Sequence, residues 1–398
     1  MTQELQEGFA DPAFKADPHP VYARWRQEAP VARVRLPTGV TAWLVTRYDE
    51  ARQALSDPRL SKAIPLGPGA NPLMAAISRH MLSADPPDHT RLRRLVSSAF
   101  TARRIEALRP RIEQITDELL AAMAGRDRVD LIDAFAFPLP IQVICELLGV
   151  PAADRESFRA WTTVIVGGTS ATAEGAGALR AMAAYIGELI DERRARPGDD
   201  LLSGLIGVRD AGDRLSSDEL SSMVFLLLIA GHETTVNLIG NGVHLLLAER
   251  ERWDRVRAEP GLLPSAIEEF LRYEGPVETS TYRHAVEDLE IGGTAVRAGE
   301  SVLVSLLGAD RDGSRFPEAD ELRLDRAQNP HLAFGHGIHY CLGAPLARLE
   351  GEIAFGRLLA RFPELRPAGP APAVTWRPGY LIRGLVELPV VPGPAVAA

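Results

Sequence analysis

The stretch Phe334-Gly335-His336-Gly337-Ile338-His339-Tyr340-Cys341-Leu342-Gly343 sets one of only two cysteines of the 398-residue chain in a glycine-rich turn. A run with apolar helical spacing, Leu342 to Leu359, follows it. A sulfur at a helix start feels the positive end of the macrodipole, which favours thiolate, the form that ligates metals. Glycines around it let backbone approach something large and flat. N–H groups of the turn can point at the sulfur and moderate its electron donation. The alternative is a structural cysteine in a tight turn. Cys145, within the apolar run Ile141–Leu148, reads as a core residue.

A second constellation is Ala230-Gly231-His232-Glu233-Thr234-Thr235, in the middle of a long helical pattern. Glycine there costs about 1 kcal/mol relative to alanine, and the Thr234 hydroxyl can bond a carbonyl one turn back. Together they predict a bend and a groove wide enough for a diatomic molecule. Glu233 and Thr234 supply an acid and an alcohol, the parts of a proton relay. A solvated polar face is the alternative, and the apolar flank Phe225–Ile229 argues against it. His232-Glu233 begins a zinc-protease motif, but Val236 stands where the second histidine is needed. His232 reads as an ordinary helix histidine.

Two pairs share helix faces. Glu269 and Arg272 are three apart, a spacing common on solvated surfaces. His89 and Arg93 are four apart, and both can donate to carboxylates. The cluster Arg91, Arg93, Arg94, Arg103 and Arg104 stands out in an acidic chain, as a docking face or as a solvated one.

The elements that must position these residues follow from periodicity. Val21–Glu28 and Tyr48–Leu55 read as helices, with strands Val31–Leu36 and Thr41–Thr46 about a Pro37-Thr38-Gly39 turn between them. Ser61–Pro72 reads as an exposed loop, and Leu73–Leu82 as an apolar segment bracketed by breakers. From Pro87 to about Ala258 the pattern is almost all helical. Ser216-Ser217-Asp218-Glu219 is a capping-box signature. It starts a helix running to about Ala248, about 45 Å long and mostly apolar, hence central and buried. From Pro276 short strands appear, at Thr279–His284, Leu289–Ile291, Thr294–Val296 and Ser301–Leu306, and Val374–Val391 reads as a hairpin turning near Pro378-Gly379. The expectation is one domain over residues 1–398, mainly α with a small β-rich part built from both ends of the chain.

Composition narrows the function. An apolar fraction of 46% fills a large core, and a net charge of −9 argues against nucleic acid as a partner. Two cysteines give no disulfide framework, and no Cys-x-x-Cys pair exists for zinc or for covalent haem attachment. The N-terminal stretch lacks a basic region followed by an apolar run, and Met223–Ala230 is too short to span a bilayer. The expectation is a soluble, cytoplasmic protein without a membrane partner.

In sum the motifs resemble those of the cytochrome P450 family of soluble bacterial type. Phe334, Gly337, Cys341 and Gly343 match its cysteine-ligand loop, and Ala230, Gly231, Glu233 and Thr234 its dioxygen-site pattern. Glu269 and Arg272 match its Glu-x-x-Arg motif, for which the family adds a downstream partner, here Arg326, to lock the segment carrying the cysteine loop. The resemblance implies a triangular helical prism around haem b (iron protoporphyrin IX). Cys341 would be the iron ligand, and His89, Arg93, Arg283 and His339 would pair with the propionates. The activity implied is monooxygenation of a hydrophobic small molecule, such as a polyketide, macrolide or steroid-like compound of secondary metabolism, using dioxygen with Glu233 and Thr234 guiding protons. Family geometry puts Met81, Leu82, Leu226, Ile229, Ala230, Val277, Leu381 and Ile382 at the substrate pocket. With no reductase domain in the chain, electrons would come from a ferredoxin and its reductase, docking on Arg91, Arg94 and Arg348. A peroxide-driven peroxygenase and a non-enzymatic haem sensor are the alternatives.

Overall fold

The capping box at Ser216 forms as its sequence predicts. Ser216 N–H donates to Glu219 Oε2 at 2.8 Å, and Glu219 N–H donates to Ser216 Oγ at 3.3 Å. Two orphan donors of the first turn are thereby satisfied reciprocally. This box opens the 32-residue helix Ser217–Ala248. The computed structural model describes residues 9, 11–37, 39–63, 73, 77–166, 173–207, 214–369 and 374–396. Residues 64–72 of the expected loop and residues 74–76 of the segment that follows it lie outside the described residues. Along the long helix Met223, Val224, Leu228, Val236, Ile239, Val243 and Leu246 are buried. Among the described residues it is the one helix long and apolar enough to cross a membrane, and 61% of its most apolar window is buried in the protein.

Helices carry most of the described chain, with three small sheets among them. The chain packs as two compact units. The first comprises Met1–Ser61, Thr116–Ala136 and Thr234–Ala398. Its five-stranded sheet runs Val31–Arg35, Thr41–Val45, Ser301–Val304, Arg283–Ala285 and Leu60–Ser61 in spatial order. All neighbours are antiparallel except the parallel pair of Thr41–Val45 with Ser301–Val304. One face of the first hairpin contributes Val31, Trp43 and Val45 to one core, and the other contributes Val34, Ala42 and Leu44 to a second with Phe14, Tyr22 and Trp25. This is the period-2 alternation expected of a sheet covered on both sides. The helices Leu263–Tyr273 and Ala344–Arg361, which flank the cysteine loop in sequence, pack on each other through Phe270 and Phe355.

The second unit, Lys62–Ile115 and Phe137–Glu233, is helical. Helices Arg155–Val166 and Ala173–Ala195 meet through Phe158, Trp161 and Tyr185, whose ring centroids are 5.8–6.1 Å apart. Helix Pro138–Leu148 begins with proline in its first turn, where the missing N–H costs nothing.

Two strand expectations are corrected. Thr279–His284 is not one strand: Thr279 makes a single bridge to Ser305, and only Arg283–Ala285 joins the sheet. The Ser280 hydroxyl accepts the Val304 N–H at 3.1 Å, standing in for a backbone acceptor and interrupting the ladder. The C-terminal hairpin is narrower than Val374–Val391. Trp376 bridges Leu385, while Pro389–Val391 leaves to pair with Val129–Asp130 and Arg366–Pro367.

Glycines inside helices differ in what surrounds them. A Cβ at Gly242 would collide with the Phe355 ring and stand 2.9 Å from Phe270, whereas one at Gly177 would meet nothing within 4 Å. Gly242→Ala is therefore expected to lower stability by ~1–3 kcal/mol through overpacking, and Gly177→Ala to raise it by ~0.5–1 kcal/mol through backbone entropy. Paired thermal unfolding curves check the opposite signs.

Candidate functional site

Cys341 is exposed and Cys145 is fully buried, so only one of the two sulfurs is accessible to a ligand. The loop that presents it folds on itself. Gly335 N–H donates to Leu332 O at 2.7 Å, Tyr340 N–H to Gly337 O at 3.1 Å, and Cys341 N–H to Phe334 O at 2.9 Å. Gly335 and Gly337 adopt φ of 73° and 74°, left-handed backbone that strains other residues. A Cβ at Gly337 would also press within 3.2 Å of the Leu55 carbonyl and Ser56, at the end of helix Tyr48–Ser56. The following helix begins at Ala344, two residues later than the apolar spacing predicts, with Pro345 in its first turn.

Behind the loop lies a buried ion cluster. Arg272 donates to both carboxylate oxygens of Glu269 at 2.8 Å, and neither side chain is exposed. Arg326 Nε reaches the same carboxylate at 3.0 Å. The leftover donors find backbone carbonyls: Arg272 bonds Asp310, Ala319 and Glu321, and Arg326 bonds Pro317 and Glu318. Glu269 accepts further bonds from Arg323 N–H and the Asn329 amide. Burying charges is costly unless every polar group is matched, and here the matching groups come from the segment leading to the cysteine loop.

Three positions that sequence spacing does not reveal complete this support. Asp310 is fully buried, accepts the Leu332 N–H at 2.7 Å, and has its pKa pushed up to about 7 by burial. Glu268 pairs bidentately with Arg348 at 2.7 and 2.8 Å and meets His331 Nε2 at 3.1 Å. Burial pushes the Glu268 carboxyl up, but the hydrogen bonds from Arg348 and His331 outweigh it and hold the pKa at about 2. The Arg348 guanidinium lies 4.7 Å from the Phe334 ring centroid, over the first residue of the loop motif. Glu268 stands beside Glu269 in an ordinary acidic helix turn, so nothing in the sequence marks its partner 80 residues on.

The acid–alcohol pair sits on a continuous helix. The helix runs through Gly231 without interruption, and the glycine admits Ile144, whose Cδ1 would lie 3.0 Å from a Cβ there. Glu233 is buried, Thr234 is half-buried, and Ala230 is exposed between half-buried Ile229 and Gly231. His232 is more than an ordinary helix histidine. It is fully buried, with Nδ1 3.0 Å from Leu228 O, Nε2 3.9 Å from Glu233 Oε2, and its ring edge-on to Phe137.

His89 and Arg93 lie on helix Asp88–Ala99 of the second unit; His89 is buried, and burial followed by the Arg93 charge lowers its pKa. Arg283, buried, donates to the Leu55 carbonyl at 3.4 Å, and His339 is half-buried in the turn Gly337–His339. Of the pocket candidates, Met81 is buried, Leu82, Leu226, Ile229, Leu381 and Ile382 are half-buried, and Val277 is bridged to Ile382. The proposed docking cluster is thinned: Arg91 pairs with Glu219, Arg104 bonds Asp200 O at 3.4 Å, and Arg348 is held by Glu268. Arg94 and Arg103 are exposed.

An accessible thiol on a glycine-built loop, with a single sulfur donor, fits a large planar iron cofactor bound through thiolate. Comparisons with known proteins agree. The family model described as Cytochrome P450 matches residues 170–372. The chain is 53% identical to cytochrome P450 107B1 of Saccharopolyspora erythraea, over 96% of this chain and 97% of that one. The solved P450 monooxygenase TamI with tirandamycin C bound superposes with a TM-score of 0.89 at 50% identity, covering 98% of this chain and 100% of that one. The Bacillus subtilis bacillaene polyketide synthase cytochrome P450 PksS gives a TM-score of 0.92 at 41% identity, covering 97% and 100%.

The Glu268 carboxyl carries a pH prediction. Its folded pKa lies below the usual value of 4.5, so its stabilisation is fully present above that pH and is lost as pH falls toward about 2. Glu268→Gln is expected to cost roughly 2–3 kcal/mol at pH 7, with the difference from wild type shrinking steadily below pH 4.5. Denaturant unfolding at a series of pH values measures it.

Proposed function

Since the chain belongs to the cytochrome P450 family, and is thus a haem-thiolate monooxygenase of secondary metabolism, we propose that Cys341 is the iron ligand. The observation that carries this is the exposed Cys341 on a glycine loop backed by the Glu269–Arg272–Arg326 cluster. We read the two units as one catalytic domain holding haem b, soluble and cytoplasmic. Bound there, the haem activates dioxygen and supplies the oxidising chemistry.

The chain's own residues do the rest. His89, Arg93, Arg283 and His339 pair with the two propionates and set the cofactor's orientation; Phe334 and Gly337 shape the loop beneath it. Buried Glu233 and the neighbouring Thr234 hydroxyl would supply the acid and the alcohol of a proton relay into the pocket. Met81, Leu82, Leu226, Ile229, Ala230, Val277, Leu381 and Ile382 exclude water and orient the substrate. We infer that this substrate is a polyketide-derived or similarly apolar molecule, a reading supported by tirandamycin C bound to TamI and by PksS being the cytochrome P450 of a polyketide synthase. The acid–alcohol pair favours a dioxygen-driven reaction over a peroxide-driven one. The electron donor is a small acidic ferredoxin, served by its reductase and steered by Arg94 and Arg103.

Cys341→His is expected to keep haem but lose the red-shifted reduced carbon-monoxide absorbance of thiolate ligation; an unchanged spectrum overturns the assignment. Thr234→Ala is expected to consume oxygen and reductant still, releasing hydrogen peroxide, with product per reductant falling at least about tenfold, the low side of a proton-transfer contribution. Normal coupling contradicts the relay. Arg94→Glu with Arg103→Glu is expected to slow electron transfer from ferredoxin at low salt and to have little effect at high salt. Wild-type rates at low salt place the docking face elsewhere.

A further inference from the structure

The N-terminal helices reach the C-terminal hairpin through a buried charge network that the monooxygenase reading does not use. Lys15, Tyr22, Glu274, Glu278 and Arg383 are all at most 6% exposed. Lys15 Nζ donates to Glu278 Oε2 at 2.5 Å and to Ile382 O at 3.2 Å, and Tyr22 Oη donates to Glu278 Oε1 at 3.0 Å. Arg383 Nε donates to Glu274 Oε1 at 2.8 Å, and its guanidinium also bonds Lys15 O and stacks on Trp376. Burial pushes the Glu274 carboxyl up, yet His19 and Arg383 together hold it far below the usual carboxylate range.

These charges sit beside backbone that carries Val277, Leu381 and Ile382. Glu278 N–H donates to Leu381 O at 2.9 Å, Arg383 N–H donates to Pro276 O at 2.9 Å, and Val277 bridges Ile382 between them. Among the described residues two main-chain hydrogen bonds join the segments, with Thr279 Oγ1 donating to Tyr380 O at 3.0 Å beside them, and so short a pairing is marginal by itself. The next residue, Gly384, passes so close to the long helix that a Cβ would collide with the Asn237 side chain, and the Asn241 amide donates to both Glu274 O and Arg383 O at 3.0 Å. The turn is thus fixed on one side by the long helix and on the other by Lys15. Among the described residues the lysine is the one side chain that touches both the Glu278 carboxylate and the Ile382 carbonyl, so it couples the two segments.

We propose that Lys15, with Glu278 and Tyr22, is a positioning residue for substrate specificity: it sets the register of the Val277 and Leu381–Ile382 segments and so the shape they present to substrate. This rests on the reading that Val277, Leu381 and Ile382 line the substrate pocket. A charge removed from such a site leaves its partner buried and unpaired, whereas removing both restores balance. The effect is therefore expected to be large for one change and partly reversed by the second.

The test uses the holoenzyme. Dissociation constants for a panel of hydrophobic natural products are read from the haem absorbance change, alongside haem content, the reduced carbon-monoxide spectrum and amide exchange of Glu278 and Arg383. Lys15→Met is expected to weaken binding by roughly tenfold, about 1.4 kcal/mol, to reorder the panel, and to speed exchange of both amides, with haem content unchanged. Lys15→Met with Glu278→Gln is expected to recover part of both, and Tyr22→Phe, a milder change that keeps the ion pair, to move them in the same direction. If exchange speeds up while the affinities and their order stay as in wild type, the network is structural only and the proposal is overturned. Ile382→Ala separates the two readings. If it reorders the panel while the Lys15 and Tyr22 variants do not, the pocket stands and the proposal falls. If Ile382→Ala leaves the panel unmoved, the pocket reading fails and takes the proposal with it.

Discussion

The constraint on which the cysteine loop depends is a buried carboxylate shared by two arginines. Glu269, Arg272 and Arg326 are all removed from water, and breaking such a group by deleting one partner typically costs ~3–5 kcal/mol. Its value lies in where the remaining hydrogen bonds go. Arg272 and Arg326 together bond five carbonyls between Asp310 and Glu321, which forces an irregular segment of chain into one conformation. Asp310 passes that order on to Leu332, three residues before the Gly335 turn. The loop ends with a sulfur held from behind, the preorganisation that the proposed role of iron ligand calls for.

Charges recur as fasteners for irregular backbone elsewhere in the same unit. Glu268 and Arg348 tie helix Leu263–Tyr273 to helix Ala344–Arg361, on either side of the cysteine loop in sequence. Glu300 accepts from Arg33 and the Trp43 indole, joining the sheet's first hairpin to a turn before its central strand. Sheets this small bury little of their own, and their strands are only two to five residues long. Side-chain charges supply the register that backbone ladders of that length cannot. The cost is sensitivity: each fastener is satisfied as a set, and half a set is worse than none.

How much of this was legible in the sequence depended on range. Periodicity placed the helix Ser217–Ala248 to within a residue, because its capping box and apolar content are local properties. The cysteine loop was legible because glycines with positive φ can be read where they stand, and Cys341 is one of only two cysteines. Glu269 with Arg272 could be paired by spacing, whereas Arg326 followed only from the family likeness, since nothing local joins residues 57 apart. Glu268, Asp310 and the Lys15–Glu278 pair escaped altogether: each is an ordinary polar residue in its own segment and becomes buried only through tertiary packing. The buried setting of His232 against Phe137 and the packing of Ile144 on Gly231 likewise arise only through tertiary contacts. Arg91, in a basic run, and Arg348, past the cysteine, read as docking cations, and their acidic partners, Glu219 and Glu268, lie 128 and 80 residues away.

The central claim is that one exposed sulfur, Cys341, bonds the iron. X-ray absorption at the iron edge of the purified wild-type protein tests it most directly. One sulfur scatterer bonded to iron, beside the four porphyrin nitrogens, is the expected result. A coordination sphere of nitrogen and oxygen alone would contradict it.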